Sequence, residues 1–314
     1  MRRAVRVAVL GVLAVTVAWY GCGGSGPATD QSPAPSAAVV PRFDLVVLVM
    51  LENTRYDDVA GNPVMPYFNS LADRYGLATQ YFANTHPSIG NYFMLTTGQV
   101  ITNDNSFPGP VMDDNLARRM NAAGISWRAY LQGLPSVGYV GGDVYPYVKR
   151  HNPFAYFSDV LDSAEQRNNL VPLDQFPQDL AMGRLPRFVY VLPDQHNNGH
   201  DCPAGMATCT LNDRLAAVDD FLRATLDPLL ASPAFQRTLL IVNWDESVAS
   251  DLEHGGGRIA VLLVSPRVRP GHRSTTLYQH QSGLRLMLEA MDVASFPGAS
   301  NSAPSMAEFF TQQP

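Results

Sequence analysis

Six segments of the chain are almost continuously apolar, and each is short enough to form a single β-strand. They span residues 44–51, 78–83, 125–131, 187–192, 237–244 and 258–265. Strands that are apolar at every position are buried on both faces of a sheet. Helical spacing of apolar residues predicts helices between them, over residues 66–75, 113–123, 211–230 and 281–291. The alternation predicts an α/β fold with a mostly parallel central sheet and helices on both faces.

Two regions depart from this alternation. Residues 133–180 are irregular and rich in Tyr, Pro and Asn, and we expect them to form an insertion over the active-site face. Their aromatic side chains either pack the inserted region or line a groove for a base or a lipid. We expect the chain from Pro297 onwards to be a loose tail. These boundaries give a catalytic domain over residues 42–298 and a tail over 299–314.

Charge and composition narrow the class of protein. The 314 residues are 46% hydrophobic and carry a formal net charge of −6, without a cluster of Lys or Arg. Nucleic-acid binding requires a basic face, so we exclude nucleic acid as a partner. The composition suits a soluble globular protein, and we expect a monomer.

The N-terminal residues are typical of an exported protein. A basic start with Arg2, Arg3 and Arg6 precedes a short apolar stretch, which predicts a signal peptide over residues 1–21. Cys22 follows Gly21 as in a lipoprotein cleavage site, so a membrane tether through a lipidated Cys22 and plain secretion both stay open. Residues 22–41 are predicted to be a flexible linker. The expected location is therefore periplasmic, extracellular or at the cell surface as a lipoprotein.

Two further cysteines lie seven positions apart in a loop that contains Pro and Gly. In an exported protein, Cys202 and Cys209 are predicted to form a disulfide bond. A metal site that uses both thiolates is the weaker alternative, because zinc-binding cysteine pairs are usually closer in sequence.

Acidic side chains follow two of the predicted strands directly. Glu52 and Asn53 come after the first strand, and Asp245 and Glu246 come after the fifth. Ligands bind outside the carboxyl ends of strands in such sheets, and adjacent carboxylates there are costly unless a cation or protons neutralise them. A divalent metal ion explains them best, and the alternative is that each pair only starts a helix or a solvated loop. The oxygen ligands favour calcium or magnesium, while nearby histidines would admit zinc.

Ser88 opens a further predicted helix after the second strand. A helix N-terminus stabilises an alkoxide and binds phosphate oxygens, so Ser88 is a candidate nucleophile, although it also suits a simple N-cap. His86, two residues earlier, either touches the site or fixes the turn. His200 lies in a polar stretch after the fourth strand, and such a stretch is typical of a site loop.

Several motifs in order resemble the bacterial phosphoesterase family, within the alkaline-phosphatase-like superfamily. The resemblance runs from residue 43 to about residue 293 and includes Leu51-Glu52-Asn53, His86-Pro87-Ser88-Ile89-Gly90-Asn91, Arg150-His151-Asn152-Pro153, Trp244-Asp245-Glu246 and Tyr278-Gln279-His280. The family contains secreted acid phosphatases, phosphatidylinositol-phosphate phosphatases and phospholipases C. The resemblance therefore implies a phosphoric ester hydrolase with an alkaline-phosphatase-like fold.

The resemblance also implies a role for each matching residue. Ser88 corresponds to the nucleophile, which becomes phosphorylated, and Asn91 to an amide that holds phosphoryl oxygens. The metal-binding positions correspond to Glu52, Asn53, Asp245 and Glu246. Three histidines correspond to donors to the phosphate or the leaving group, namely His151, His200 and His280. The chain departs from the family pattern at Gly90, where Pro is usual, and at Asn198, where Asp is common. The first departure implies a looser turn. If the Asp of the family helps to bind a metal or to orient the histidine at His200, the second implies a slower enzyme or a different metal demand.

We therefore expect a secreted, metal-dependent phosphomonoesterase of acid-phosphatase type, in which Ser88 attacks and His200 protonates the leaving oxygen. The expected substrate is a small phosphorylated molecule or a phospholipid headgroup. Two alternatives stay open: a phospholipase C-type phosphodiesterase, and a non-catalytic surface protein that binds an anion in the same pocket.

Overall fold

The computed structural model describes residues 38–311. The predicted signal peptide, Cys22 and residues 22–37 of the predicted linker lie outside the described residues. No helix within residues 38–311 is both long enough and apolar enough to cross a membrane.

A single mixed sheet forms the centre of the described part. Its nine strands are β1 (Leu45–Leu51), β2 (Gly76–Phe82), β3 (Trp127–Leu131), β4 (Leu170–Pro172), β5 (Phe188–Leu192), β6 (Thr238–Trp244), β7 (Arg258–Val264), β8 (Arg273–Ser274) and β9 (Tyr278–Gln279). The strand order is β4-β3-β5-β1-β6-β7-β2-β8, and β9 also pairs with β2. Within residues 38–311, β7 alone runs opposite to the other strands, since it pairs antiparallel with both β6 and β2. The predicted mostly parallel α/β sheet is therefore confirmed.

Helices cover this sheet. They are α1 (Tyr56–Val59), α2 (Pro66–Arg74), α3 (Ser88–Thr97), α4 (Leu116–Ala122), α5 (Ser158–Leu161), α6 (Ala164–Arg167), α7 (Gln175–Ala181), α8 (Leu211–Ala231) and α9 (His280–Ala290). Every residue of β1, β5 and β6 is buried, which requires cover on both faces of the sheet. Helix α3 packs against α9, and α2 packs against α8.

The register of the two central strands places the acidic residues side by side. β1 and β6 are parallel neighbours, and Leu51 at the end of β1 lies opposite Trp244 at the end of β6. The backbone N–H of Asp245 donates to the carbonyl of Leu51. Because both chains leave the sheet at the same edge, Glu52 and Asp245 emerge as neighbours.

All six strands predicted from apolar runs are present, with shifts of one or two residues at most of their ends. The helix predicted over residues 113–123 begins later, at Leu116, because the Asn115 side chain caps it by accepting from the backbone N–H of Arg118. The region 133–180 is less irregular than expected. It contributes edge strand β4, which pairs parallel with β3, and helix α7, which packs on α8.

The expectation of a loose C-terminal tail is wrong for residues 297–311. Met306, Phe309 and Phe310 are buried, and the Phe310 ring lies 5.7 Å from that of Phe43. Glu308 accepts a hydrogen bond from the Tyr278 hydroxyl at 2.6 Å. This segment packs over the edge of the sheet at β2 and β8, and burial of its apolar side chains holds it in place.

Candidate active site

Ser88 is the first residue of α3, at the turn that leaves the carboxyl end of β2. The side-chain amide of Asn91 shapes this turn: its oxygen accepts from the backbone N–H groups of Asn84 and Thr85, at 2.9 and 3.2 Å, and its nitrogen donates to the Thr85 carbonyl at 2.7 Å. The turn is not loose at Gly90. A Cβ there would lie 2.3 Å from the Asn103 side-chain oxygen, so only glycine fits without a shift of neighbouring side chains.

Two carboxylates approach the Ser88 hydroxyl from two strand ends. The Oγ atom lies 3.1 Å from Glu246 Oε1 and 3.3 Å from Glu52 Oε2, and it can donate to either. Ser88 itself is only 4% exposed. Glu52 and Glu246 are 36 and 158 positions away from Ser88 in the sequence, and the fold brings both to its hydroxyl group at a helix N-terminus.

The side chains of Glu52, Asp245 and Glu246 are buried close together, and within residues 38–311 none of them forms an ion pair with a Lys or Arg side chain. Burial and the charge of Asp245 raise the pKa of Glu52 well above its ordinary value. Burial, with the Glu246 charge, raises the pKa of Asp245 to about 8, and burial raises that of Glu246 to about 7. The Oδ2 atom of Asp245 is buried and has no hydrogen-bond partner in the described residues. All of these features indicate carboxylates that lack a counter-charge.

Asn53 connects the two acidic pairs. Its backbone N–H donates to Asp245 Oδ1 at 3.0 Å, and its side-chain amide donates to Glu246 Oε1 at 2.6 Å. Its φ of 29° lies in the left-handed region, which asparagine tolerates better than most residues. The four residues predicted as metal ligands are therefore together, although no group of three or more His, Cys, Asp or Glu side chains within residues 38–311 already stands in a metal-binding arrangement.

His86 and His151 lie at the carboxylates. The Nδ1 atom of His86 is 2.8 Å from Glu246 Oε2, and its Nε2 atom is 2.9 Å from the Asp251 carbonyl. His151 is buried, with Nε2 3.2 Å from Glu52 Oε1 but not aligned for a hydrogen bond. Burial lowers the pKa of His151 well below its ordinary value, so this ring is neutral near pH 7.

Asn91 and His280 have other contacts than expected. Both polar atoms of the Asn91 amide are engaged by the turn, with a further contact of 3.3 Å to Glu246 Oε2, so holding a phosphoryl oxygen would break one of these bonds. His280 is fully buried, and its Nε2 atom lies 2.6 Å from the Asp245 carbonyl. This geometry does not agree with the prediction that His280 contacts the substrate. It instead fixes the backbone beside the Asp245 side chain.

His200 and the cysteine pair lie on the loop after β5. The His200 ring is partly exposed, and its Nδ1 atom lies 2.6 Å from Asp201 Oδ1. The predicted disulfide bond between Cys202 and Cys209 is present, with 5.5 Å between the two Cα atoms. The loop reaches the acidic cluster through its backbone, since the N–H of Glu52 donates to the carbonyl of Asn198 at 2.9 Å.

Sequence reasoning missed Tyr92 and Asp251. The Tyr92 hydroxyl donates to Glu52 Oε1 at 2.6 Å, and its ring stacks on His151 with 5.3 Å between centroids. Its position four residues after Ser88 on a helix places both on one face, which is a signal that could have identified it. Asp251 contacts His86 through its backbone carbonyl. Every residue has such a carbonyl, so the pattern of side-chain types in the sequence could not indicate this contact.

The raised pKa values predict how the metal-free protein responds to pH. Above about pH 6.5 the unfolded chain has lost the protons of Asp245 and Glu246, whereas the folded protein keeps them until pH 7 to 8. Its stability should therefore fall by about 2 kcal/mol, or roughly 5 °C in melting temperature, between about pH 6.5 and 8. The buried histidines do not reverse this trend, because His280, with a pKa lowered to about 4, is neutral in the folded protein throughout the window. Thermal melts in a chelator across this range measure the slope, and a melting temperature that rises with pH would contradict the prediction.

The fold of the described residues resembles that of solved proteins of the alkaline-phosphatase superfamily. A superfamily member from Vibrio parahaemolyticus superposes with a TM-score of 0.59 at 15% identity, covering 88% of this chain and 76% of that one. The phosphonate monoester hydrolase of Agrobacterium radiobacter gives a TM-score of 0.56 at 14% identity, over 85% of this chain and 77% of that one. At these identities the similarity shows the fold alone.

A model of the Phosphoesterase family matches residues 62–294, and the chain belongs to that family. The matched range contains Ser88, Asp245 and Glu246 but begins after Glu52 and Asn53. The phosphatidylinositol-3-phosphatase of Mycobacterium tuberculosis is 28% identical over 303 residues, which cover 95% of this chain and 92% of that protein. A probable acid phosphatase of Kluyveromyces lactis is 28% identical over 267 residues, 82% of this chain and 60% of the yeast protein. The protein is a phosphoric ester hydrolase.

Proposed function

We propose that the protein is an exported, metal-dependent phosphomonoesterase that acts through a phosphoserine intermediate on Ser88. The observation that carries the proposal is the Ser88 hydroxyl, which lies at the N-terminus of α3 within 3.3 Å of carboxylates from the ends of β1 and β6. A hydroxyl in this position is activated by acceptors on one side, and the helix N-terminus favours an incoming phosphate on the other. The predicted signal peptide and the disulfide bond support export.

The donor atoms at this site fit a divalent cation. Oxygen atoms are offered by Glu52, Asn53, Asp245 and Glu246, and the buried Oδ2 atom of Asp245 has no hydrogen-bond donor among the described residues. Hard cations such as calcium and magnesium prefer oxygen ligands, and the neighbouring His86 would also suit zinc. When bound, such an ion would neutralise the carboxylates and the substrate phosphate and lower the pKa of the serine hydroxyl.

The residues of the chain account for the remaining steps. The Ser88 hydroxyl gives its proton to Glu246 or Glu52, and its oxygen forms a bond to phosphorus while the bond to the leaving oxygen breaks. His200 supplies a proton to that leaving oxygen and is left neutral. A water molecule then attacks the phosphoserine, gives a proton to His200, and releases inorganic phosphate; Ser88 takes back its own proton. The hydrogen bond from the Tyr92 hydroxyl holds Glu52 in place throughout.

A phosphomonoester is the proposed substrate class, either a small phosphorylated molecule or a phospholipid headgroup. Two similar relatives are named phosphatases, and the mycobacterial one is named for a phosphatidylinositol 3-phosphate substrate. The region 133–180 contributes His151, whose Nε2 atom lies 3.2 Å from Glu52 Oε1. A monomer tethered through Cys22 or free in solution would suit either substrate.

The test compares a monoester with a diester of the same alcohol. We expect the purified protein to hydrolyse p-nitrophenyl phosphate faster than bis(p-nitrophenyl) phosphate, to lose both activities in a chelator, and to regain them with one divalent metal. Faster cleavage of the diester would favour the phospholipase C-type alternative. Hydrolysis of neither ester under any metal, with phosphate still bound, would favour the anion-binding alternative.

A further inference from the structure

We propose that Asp201 is the positioning residue for His200, and that the Tyr145 hydroxyl fixes Asp201 in that role. This inference rests on the proposed function, because it explains how His200 presents its proton to the leaving oxygen. Neither Asp201 nor Tyr145 is assigned a role by the family resemblance.

The contact between His200 and Asp201 determines which ring nitrogen stays free to transfer a proton. Nδ1 lies 2.6 Å from Asp201 Oδ1, and an ionised carboxylate only accepts hydrogen bonds, so Nδ1 carries a hydrogen in both charge states of the ring. Nε2 of His200 has no hydrogen-bond partner in the described part of the chain. The partly exposed ring therefore leaves Nε2 available for a proton transfer, as a general acid requires.

Asp201 is itself held from several directions. The Tyr145 hydroxyl donates to its Oδ2 at 3.2 Å, and its backbone N–H donates to the Gln195 carbonyl at 3.1 Å. The next residue, Cys202, is fixed by the disulfide bond and by a contact of 2.8 Å between its carbonyl and His196 Nδ1. The Tyr145 ring packs edge-on against His196, with 5.2 Å between centroids. Because the Asp201 side chain is already held in place, little further conformational entropy is lost when it orients the imidazole of His200.

The same loop is anchored to the acidic cluster. Asn198 accepts from the Glu52 backbone N–H at 2.9 Å, and its side-chain oxygen accepts from the His200 backbone N–H, also at 2.9 Å. Gly199, at φ 98°, passes so close that a Cβ would lie 3.3 Å from the Glu52 carbonyl. Asn198, where the family commonly has Asp, thus bonds the His200 backbone, and the ring is oriented by Asp201 instead.

The chemical consequence depends on the leaving group. In the first step the imidazolium gives its Nε2 proton to the leaving oxygen as the phosphorus–oxygen bond breaks, and Asp201 keeps the Nδ1 hydrogen bond. In the second step water returns a proton to Nε2, and Asp201 keeps its hydrogen bond with Nδ1. A nitrophenolate leaves readily without a proton, whereas an alkoxide is a poor leaving group that requires one. Loss of the positioning residue should therefore affect alkyl phosphates far more than aryl phosphates.

The experiment measures kcat/KM on glycerol 2-phosphate and on p-nitrophenyl phosphate for wild type and Asp201→Asn. We expect a loss of about 30-fold or more on the glycerol ester and of less than about 3-fold on the nitrophenyl ester. Tyr145→Phe should also lower kcat/KM on glycerol 2-phosphate, by a smaller factor. Asp201→Glu should keep part of the activity on this ester that Asp201→Asn loses. Asp194→Asn is the matched control in the same loop, because Asp194 contacts the His196 backbone and the Asn197 amide but not the His200 ring.

A double-mutant cycle with His200→Ala tests whether Asp201 acts through His200. In that background Asp201→Asn should change neither activity further. Equal losses on both esters, or a further loss in the His200→Ala background, would overturn the proposal while leaving the proposed function intact. Thermal melts identify any unfolded variant. If Asp201→Asn unfolds, the outcome is decided by Tyr145→Phe and Asp201→Glu, from the ratio of their kcat/KM on glycerol 2-phosphate to that on p-nitrophenyl phosphate. A wild-type protein that hydrolyses neither ester would instead overturn the proposed function and this inference with it.

Discussion

Replacing Ser88 with alanine is expected to lower kcat on p-nitrophenyl phosphate by at least about 1,000-fold without unfolding the protein. The hydroxyl contacts two carboxylates and has no structural partner among the backbone groups of the described chain. Alanine suits the first turn of a helix well, so α3 should be retained. Steady-state kinetics and a thermal melt on the same preparation measure both parts of this prediction.

A second buried serine provides the control. The Ser282 hydroxyl is buried on α9 and has no hydrogen-bond partner within residues 38–311, so the activity and stability of Ser282→Ala should stay close to those of wild type. Acid quenching of wild type during turnover should leave one phosphoryl group on the peptide that contains Ser88, and that label should be absent from Ser88→Ala. Ser88→Ala with turnover near wild type would rule out the assigned nucleophile.

Replacing Asp245 with asparagine is expected to separate activity from stability. The substitution keeps the shape and the acceptor for the Asn53 backbone N–H, but it removes one of three buried negative charges. Activity should fall at least about 100-fold because a proposed metal ligand is lost. The metal-free variant should melt at a higher temperature than metal-free wild type near pH 8, since it no longer ionises a buried carboxylate whose pKa is raised to about 8.

Melts in a chelator and after addition of a divalent metal distinguish this from ordinary destabilisation. Wild type should gain stability when the metal is added, and Asp245→Asn should gain little. A variant that keeps full activity and the same response to metal would show that Asp245 is not a ligand. A variant that is less stable than wild type in the chelator near pH 8 would contradict the expectation that ionisation of the buried Asp245 destabilises the metal-free protein.

The strands and the acidic residues at their ends were predictable because each feature is local in the sequence. The runs that became β1 and β6 are apolar at every position, which indicates burial on both faces, and a carboxylate directly after such a run has to lie at a sheet edge. The position of Ser88 at the start of a helix follows from the residues around it. These observations predicted a parallel α/β sheet with a serine and acidic groups at one edge.

The contacts of Asn91, Tyr92 and His280 were not predictable in the same way. His280 contacts the Asp245 carbonyl across 35 residues, and Tyr92 reaches Glu52 across 40. A histidine after a strand looks the same in the sequence whether its ring faces a substrate or a buried carbonyl. Which of these two surroundings the ring has depends on the order of the strands in the sheet, and no local pattern in the sequence gives that order.

The packing of the C-terminal segment illustrates the same limit. Residues 297–311 contain Pro, Ser and Ala without a periodic apolar pattern, and that composition is typical of a tail. They are held by burial of Met306, Phe309 and Phe310, and Phe310 packs against Phe43, which lies far away in the sequence. Apolar side chains that meet a distant surface leave no periodic signal in their own segment.

The sequence by itself determined the class of fold, because burial periodicity is a local property, and the family, because its motifs occur in order along the chain. The tertiary structure alone decided the parallel register that places Glu52 beside Asp245, the histidines that lie at the carboxylates, and the contact between Tyr145 and Asp201 beside His200. These depend on hydrogen bonds and burial between distant segments, and their energies exist only once the sheet has assembled.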